Sequence, residues 1–510
     1  VIDRPIDQLA NVGGAIQQAV VAVAVQMGEW TRVFGRFRHH RGSFHGVFSV
    51  AKRTNGFRQS AYRAESHRSA GLIALVITKN AYSRRIGFWY AAIMNIVPLH
   101  TSKSPLTAKF AGLDAVRGFA ALGVVLFHAC IPYLKHPMPG LTWAVRDDAN
   151  GVTDFFYWWM ELFIMPLFLV MAGFLAWKTF QKRGRSELIM SRARRLLKPL
   201  LFGIVVVLPL DLYCWVLGWV ADGIVPAVKL RSLKFDPHLD RNLWGLSHLW
   251  FLQYLFLYVV VFAVASSLGS RFSILRRIRL GPKAIVGMIV FLGSTTLYFH
   301  PEVVWGFQHD FLPVASKWIY SGLSFALGAA LANFDGELDW LKASANRIVP
   351  AAAVCSVAAV LLGQWHLSGG QSQQAQVALA GLTCVSSVLI SLSIIGVAVA
   401  RVGRVSNVVG YLSAASFWVY IVHHPILGLV HTDLKFLMPG MSPVLKTIIA
   451  FAVTSGFCLA TYETFVRKTR LGIWLGFSWT IPAPTDSASE SSIPFPSRRS
   501  GVATAGRRAA

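Results

Sequence analysis

From residue 113 onward, apolar runs of bilayer-spanning length alternate with short polar connections. The runs cover roughly 113–134, 156–177, 199–220, 246–266, 284–299, 317–334, 348–366, 374–400, 409–430 and 443–462. A hydrocarbon core of ~30 Å is crossed by about 20 apolar residues in helical form. The pattern therefore predicts an all-α, polytopic membrane protein with about ten transmembrane helices, of which 284–299 is short and 374–400 long for a single crossing.

The flanks differ in kind. Residues 1–95 are rich in Arg, Ser and Gly and poor in acids, with only a partial apolar segment near 11–27. They are expected to be either a basic N-terminal extension without a core or a start placed upstream of initiation near Met94. Residues 96–475 form the expected membrane domain. Residues 476–510, rich in Ser, Pro, Ala and Arg, are expected to be a disordered cytoplasmic tail. No cleavable signal peptide is expected at residue 1, and the first span is expected to serve as the insertion signal.

Composition sharpens this picture. Hydrophobic residues make up 54% of the 510 and charged residues only 14%, against about 25% charged in soluble domains. The net charge of +26 does not indicate nucleic acid, because the basic residues gather between apolar runs and not on a soluble face. They fill alternate connections: Lys178, Lys182, Arg183, Arg185, Arg192, Arg194, Arg195 and Lys198; Arg271, Arg276, Arg277, Arg279 and Lys283; Lys342 and Arg347; Arg401 and Arg404; Arg467, Lys468 and Arg470. The intervening connections carry Asp147, Asp148, Asp154, Asp236, Asp240, Glu302 and Asp310, with Lys229, Arg231, Lys234 and Arg241 running against the trend. The positive-inside rule then puts both termini in the cytoplasm. The five cysteines show no metal-ligand or disulfide spacing, so no metal site is expected.

Candidate chemistry sits inside the spans. Arg117 and His128 lie eleven residues apart in the first predicted helix. Eleven helical steps turn about 20° past three full turns and rise ~16 Å, so the two share one face. An Arg at mid-span costs at least ~2.5 kcal/mol on insertion scales, which makes it a functional candidate by default. Asp114, three residues earlier, is placed to pair with Arg117. Glu161 lies in the second helix near the depth of His128, where it either orients the imidazole or faces interfacial water, and Pro166 in the same run frees a carbonyl. The run Ser191–Pro199 is a topogenic lipid-binding cluster or a phosphate cradle, the latter through Arg192 and Arg195. Ser416, Tyr420 and either His423 or His424 recur at helical spacing in Ser-Phe-Trp-Val-Tyr-Ile-Val-His-His-Pro (416–425). The plainer readings are a snorkelling Arg and an interfacial Trp and His belt.

Taken together, these residues resemble the acyltransferase-3 family of integral membrane acyltransferases. The resemblance rests on Arg117 and His128 within Leu-Asp-x-x-Arg-Gly-x9-His, on Met-Pro-Leu-Phe-x-x-x-Ala-Gly-Phe (165–174) and on Arg192, Arg195 and Pro199. It also rests on His-Leu-Trp-Phe-Leu (248–252) and Ser-Phe-Trp-x-Tyr-x-x-His-x-Pro (416–425). The Met-Pro-Leu-Phe and His-Leu-Trp-Phe-Leu forms look most like the glucan-succinylating branch. Phe163-Ile164, where that branch often has a basic residue, and the doubled His423-His424 depart from it.

The resemblance implies a bacterial inner-membrane enzyme with a cytoplasmic acyl-CoA-type donor and a hydroxyl acceptor, often a carbohydrate such as a glucan. On this reading His128 is the general base and Arg117, helped by Arg192 and Arg195, holds the donor. Tyr420 or Ser416 donates to the oxyanion, with Glu161 and His423 completing the site. No permanently bound cofactor is expected, and an acyl-enzyme relay stays open beside direct transfer. The rivals are a secondary transporter using Arg117, His128 and Glu161 as a relay, although no internal repeat supports it, and a non-catalytic scaffold.

Overall fold

The structure, a computed structural model, describes residues 111–232, 235, 243–269 and 281–477. The N-terminal extension and the tail beyond 477 lie outside the described residues. So do Arg271, Arg276, Arg277, Arg279, Lys234, Arg241, Asp236 and Asp240 of the charge argument.

The main helices are α1 (Ala111–Ala129), α2 (Gly151–Glu161), α3 (Ile164–Phe202), α4 (Leu208–Ala221), α5 (Trp250–Gly269) and α6 (Pro282–Phe299). They continue as α7 (Ala315–Phe334), α8 (Asp339–Leu367), α9 (Gln373–Arg401), α10 (Asn407–Leu437) and α11 (Pro443–Thr461), with no strand among the described residues. Their starts are written in the sequence. Asn150 accepts from the Val152 and Thr153 amides, and Ser372, Ser406 and Ser442 cap α9, α10 and α11, each satisfying an otherwise unpaired amide.

Among the described residues, eight helical stretches are long and apolar enough to cross a membrane. The expected spans 156–177 and 199–220 fall in one continuous stretch, Gly151–Ala221. Gly184, at φ 75°, breaks α3 within it. That positive φ is open to glycine at little cost. The helix Ala315–Phe334 is not among the eight, so the count of ten is not confirmed among the described residues.

A correction applies to the second expected helix. It is two helices, α2 and α3, broken at Leu162 and Phe163. Pro166 therefore sits in the first turn of α3, where its missing N–H leaves no ladder bond open and frees no carbonyl inside the span.

α1 and α10 form the centre, each with two-thirds of its most apolar window buried by protein, whereas α6 has only 17% buried and lies at the edge. α1 packs along α10, α9 and α11, and α3 along α7. The last crossing is a glycine contact. A Cβ on Gly173 would overlap the Phe325 carbonyl, and one on Gly328 the Val170 carbonyl. Small residues let backbones approach this closely where no hydrophobic effect drives helices together.

The loop between α1 and α2 folds back over the His128 end of the bundle. Buried Asp154 holds it, accepting from the His136 amide at 2.8 Å, the His136 ring at 2.7 Å and the Gln364 amide at 2.8 Å. Lys446, fully buried on α11, pairs with Asp147 of the same loop at 2.7 Å. A loop pinned by this many buried polar bonds is a fixed wall, because breaking any one leaves a polar group unsatisfied.

Candidate active site

His128 lies in the last turn of α1. Its Nδ1 is 2.8 Å from the Val124 carbonyl and 3.3 Å from His423 Nε2. A carbonyl only accepts, so His128 Nδ1 carries the proton. His423 Nδ1 in turn faces the Tyr420 carbonyl at 2.9 Å, which puts its proton on Nδ1 and makes its Nε2 an acceptor. The His128 Nδ1–H is thus shared between two acceptors, and Nε2 is left with a free lone pair. His423 is thus an orienting neighbour of the His128 imidazole. It does not itself line the cavity.

That cavity, about 70 Å³, is walled by His128, Glu161, His248, Lys317, Tyr420 and His424 together with apolar side chains. Helices α1, α2, α7 and α10, with the short turn before α5 that carries His248, thereby bring polar groups from distant parts of the sequence to one place. Lys317, 7% exposed, donates to the Gln308 carbonyl at 2.7 Å and lies 3.9 Å from the centre of the Trp250 ring. Glu161 lies within its electrostatic range. A buried cation needs such partners to offset desolvation. Glu161 lines the same cavity as Lys317, while the hydrogen bonds on the His128 ring come from Val124 and His423.

The other expected site residues separate. Tyr420 lines the cavity, but its hydroxyl donates a short bond to the His248 carbonyl. Ser416, one turn before Tyr420 on α10, donates to the Ser413 carbonyl at 2.8 Å and does not line the cavity. Arg117 lies at the other end of α1, 3.0 Å from Asp114 and 2.5 Å from the Ser413 hydroxyl, with its side chain 45% exposed. Arg192 and Arg195, on the last part of α3, are within electrostatic range of Arg117. The three form one cationic group, separate from the cavity by the length of α1. Anions such as phosphates suit guanidinium clusters of this kind.

Asp211, Trp143 and His431, not singled out from the sequence, complete the His128 end together with His424 and His248, which it did single out. His424 lines the cavity, and its Nδ1 is 2.8 Å from Asp211 of α4. His248 donates from Nε2 to the Ile421 carbonyl at 3.0 Å. Trp143 of the loop donates to His431 at 3.0 Å and stands edge-on to His424 at 4.7 Å. Asp211 and Lys317 were findable as ionisable groups within apolar runs; their partners were not, because each comes from a different helix.

Asp211, His248 and His424 place ligand-type atoms within 4.8 Å of one another. The two imidazoles are stacked, centroids 4.5 Å apart and planes 17° from parallel. Ring nitrogen lone pairs lie in the ring plane, and two stacked planes share no nearby point where one ion could meet both. The Asp211 to His424 separation of 2.8 Å is that of a hydrogen bond.

No curated protein matches the chain, and no solved structure matches it. The acyltransferase domain of the acyltransferase-3 family does match, over residues 110–463. That segment takes in α1 through α11, with both Arg117 and His128. On this ground the chain, a multi-helix protein with spans of membrane length, belongs to the acyltransferase-3 family and is a membrane acyltransferase.

Proposed function

We propose that the protein moves an acyl group from a cytoplasmic acyl-CoA-type thioester to a hydroxyl of an extracytoplasmic carbohydrate, such as a glucan, in the bacterial inner membrane. The observation that supports this best is the tautomer of His128. Its Nδ1–H is committed to Val124 and His423, so Nε2 presents a lone pair at a cavity whose other walls are largely apolar. A neutral imidazole held in this way suits removal of a proton from an alcohol as it attacks a carbonyl.

Arg117, with Arg192 and Arg195, is assigned to the donor's phosphates. The helical rise of ~16 Å between Arg117 and His128 is then the distance a flexible pantetheine-like arm spans from its anchored phosphates to its thioester. Tyr420 is the oxyanion donor in this scheme, and must release the His248 carbonyl to serve. The basic connections set the direction, with the Arg117 end toward the cytoplasm.

Mass spectrometry of periplasmic and envelope glycans, with and without the gene, tests the reading. It predicts a glycan lighter by one acyl group per modified site when the gene is absent. Identical glycan profiles in the two strains would refute the carbohydrate acceptor.

A further inference from the structure

His423 and His424 are adjacent on α10, so their side chains leave the helix about 100° apart, and their ring planes are 89° apart. One side of this pair meets Nδ1 of His128. The other meets Asp211, which is 3% exposed and reaches His424 Nδ1 at 2.8 Å. A carboxylate accepts, so the proton of His424 is on Nδ1, and Nε2 is the nitrogen left for the cavity that His424 lines. The His424 ring is 5.1 Å from that of His128, edge to face. Trp143 and Trp215 pack against it on other sides, and His248 is stacked over it. Among the described residues, Asp211 Oδ1 has no hydrogen-bond partner and is buried. That carboxylate is desolvated without full compensation, a costly arrangement that a charge forming on His424 would relieve.

We propose that Asp211 and His424 form a second dyad of the acyl-transfer site, with His424 handing the acceptor's proton on to the donor's leaving sulfur. The inference rests on the acyl-thioester reading above. As the acceptor oxygen bonds to the thioester carbonyl carbon, its O–H bond breaks and the proton goes to His128 Nε2. His128 passes that proton to His424 Nε2, and the Asp211 carboxylate stabilises the resulting imidazolium. When the C–S bond breaks, the departing thiolate takes the proton from His424. Both imidazoles end neutral, and the acceptor's proton has become the thiol's. His424 is a catalytic residue in this scheme and Asp211 a positioning one.

The test compares two donors carrying one acyl group, acyl-CoA and the corresponding acyl-thiophenol, with purified full-length wild type, His424→Gln and Asp211→Asn. Thiophenolate is a good leaving group that departs without a proton. Both variants are expected to lose turnover with acyl-CoA on the order of 100-fold, the usual scale of general acid–base catalysis, and to lose less than about 5-fold with the thiophenyl donor. A merely structural role would depress both donors alike, and that result, or unchanged turnover with acyl-CoA, overturns the dyad. If His424→Gln does not fold, the donor ratio of the near-isosteric Asp211→Asn decides. One equivalent of zinc copurifying with wild type and lost from Asp211→Asn would also overturn it, by making these side chains ligands. Wild type that transfers from neither donor would instead count against the acyl-thioester reading itself.

Discussion

In the proposed mechanism His128 acts through Nε2, and two hydrogen bonds on Nδ1 prepare it for that role. The Val124 carbonyl alone would set the tautomer, but it belongs to the same helix, and a single i−4 contact leaves the ring free to tilt. The contact from His423 Nε2 at 3.3 Å comes from α10 and fixes the ring against a second helix. His423→Ala is therefore expected to reduce turnover about tenfold to a hundredfold with little change in donor KM, since positioning errors act on the transition state. His423→Gln offers a carbonyl oxygen at a similar reach and should recover most of that loss. Steady-state kinetics on the two variants checks this, and equal impairment of both would remove the orienting role. The sequence made Arg117 and His128 legible because a single helix's geometry relates them. It left His423 and His424 unresolved, since telling them apart needs the rotation of α10 about its own axis. Asp211, the partner that distinguishes them, comes from α4.

At the level of elements, the crossing of α3 and α7 is the most demanding contact. Gly173 and Gly328 each face a backbone carbonyl of the opposite helix with no room for a Cβ. Gly173→Val is expected to push the helices apart and to cost about 1–3 kcal/mol, the usual scale for overpacking. Because α3 and α7 supply Pro166 and Lys317 to the cavity wall, the same change should lower activity. A thermal unfolding midpoint in detergent equal to that of wild type would show the crossing to be slack. Apolar run length located these helices well. The break at Leu162 and Phe163 escaped, because an uninterrupted apolar run reads as one helix, and Pro166 marks the first turn of a new helix as readily as a kink within an old one. The paired glycines stood in plain view at 173 and 328, yet nothing in sequence spacing says which two helices cross.

Across the whole molecule, the arrangement is a central pair, α1 and α10, with the cationic group at one end and the histidine cavity at the other. Fold class was readable from hydropathy alone, while the number of crossings was not, because a helix such as Ala315–Phe334 mixes Ser, Lys and Asn with its apolar residues and run length does not say whether it spans. Orientation is the molecular property on which the proposed direction of transfer depends. A cysteine introduced by Asp148→Cys, exposed on the α1–α2 loop, is expected to react with a membrane-impermeant maleimide in intact cells. One introduced by Arg404→Cys, exposed between α9 and α10, should react only after permeabilisation. The reverse pattern would invert the path. The most direct test of the central claim is acceptor-dependent release of free CoA by purified full-length protein and its His128→Ala variant, each supplied with acyl-CoA and an envelope glycan. The account predicts release by wild type and a loss of at least about 100-fold in the variant, with the variant's thermal midpoint preserved; undiminished release by folded His128→Ala would contradict it.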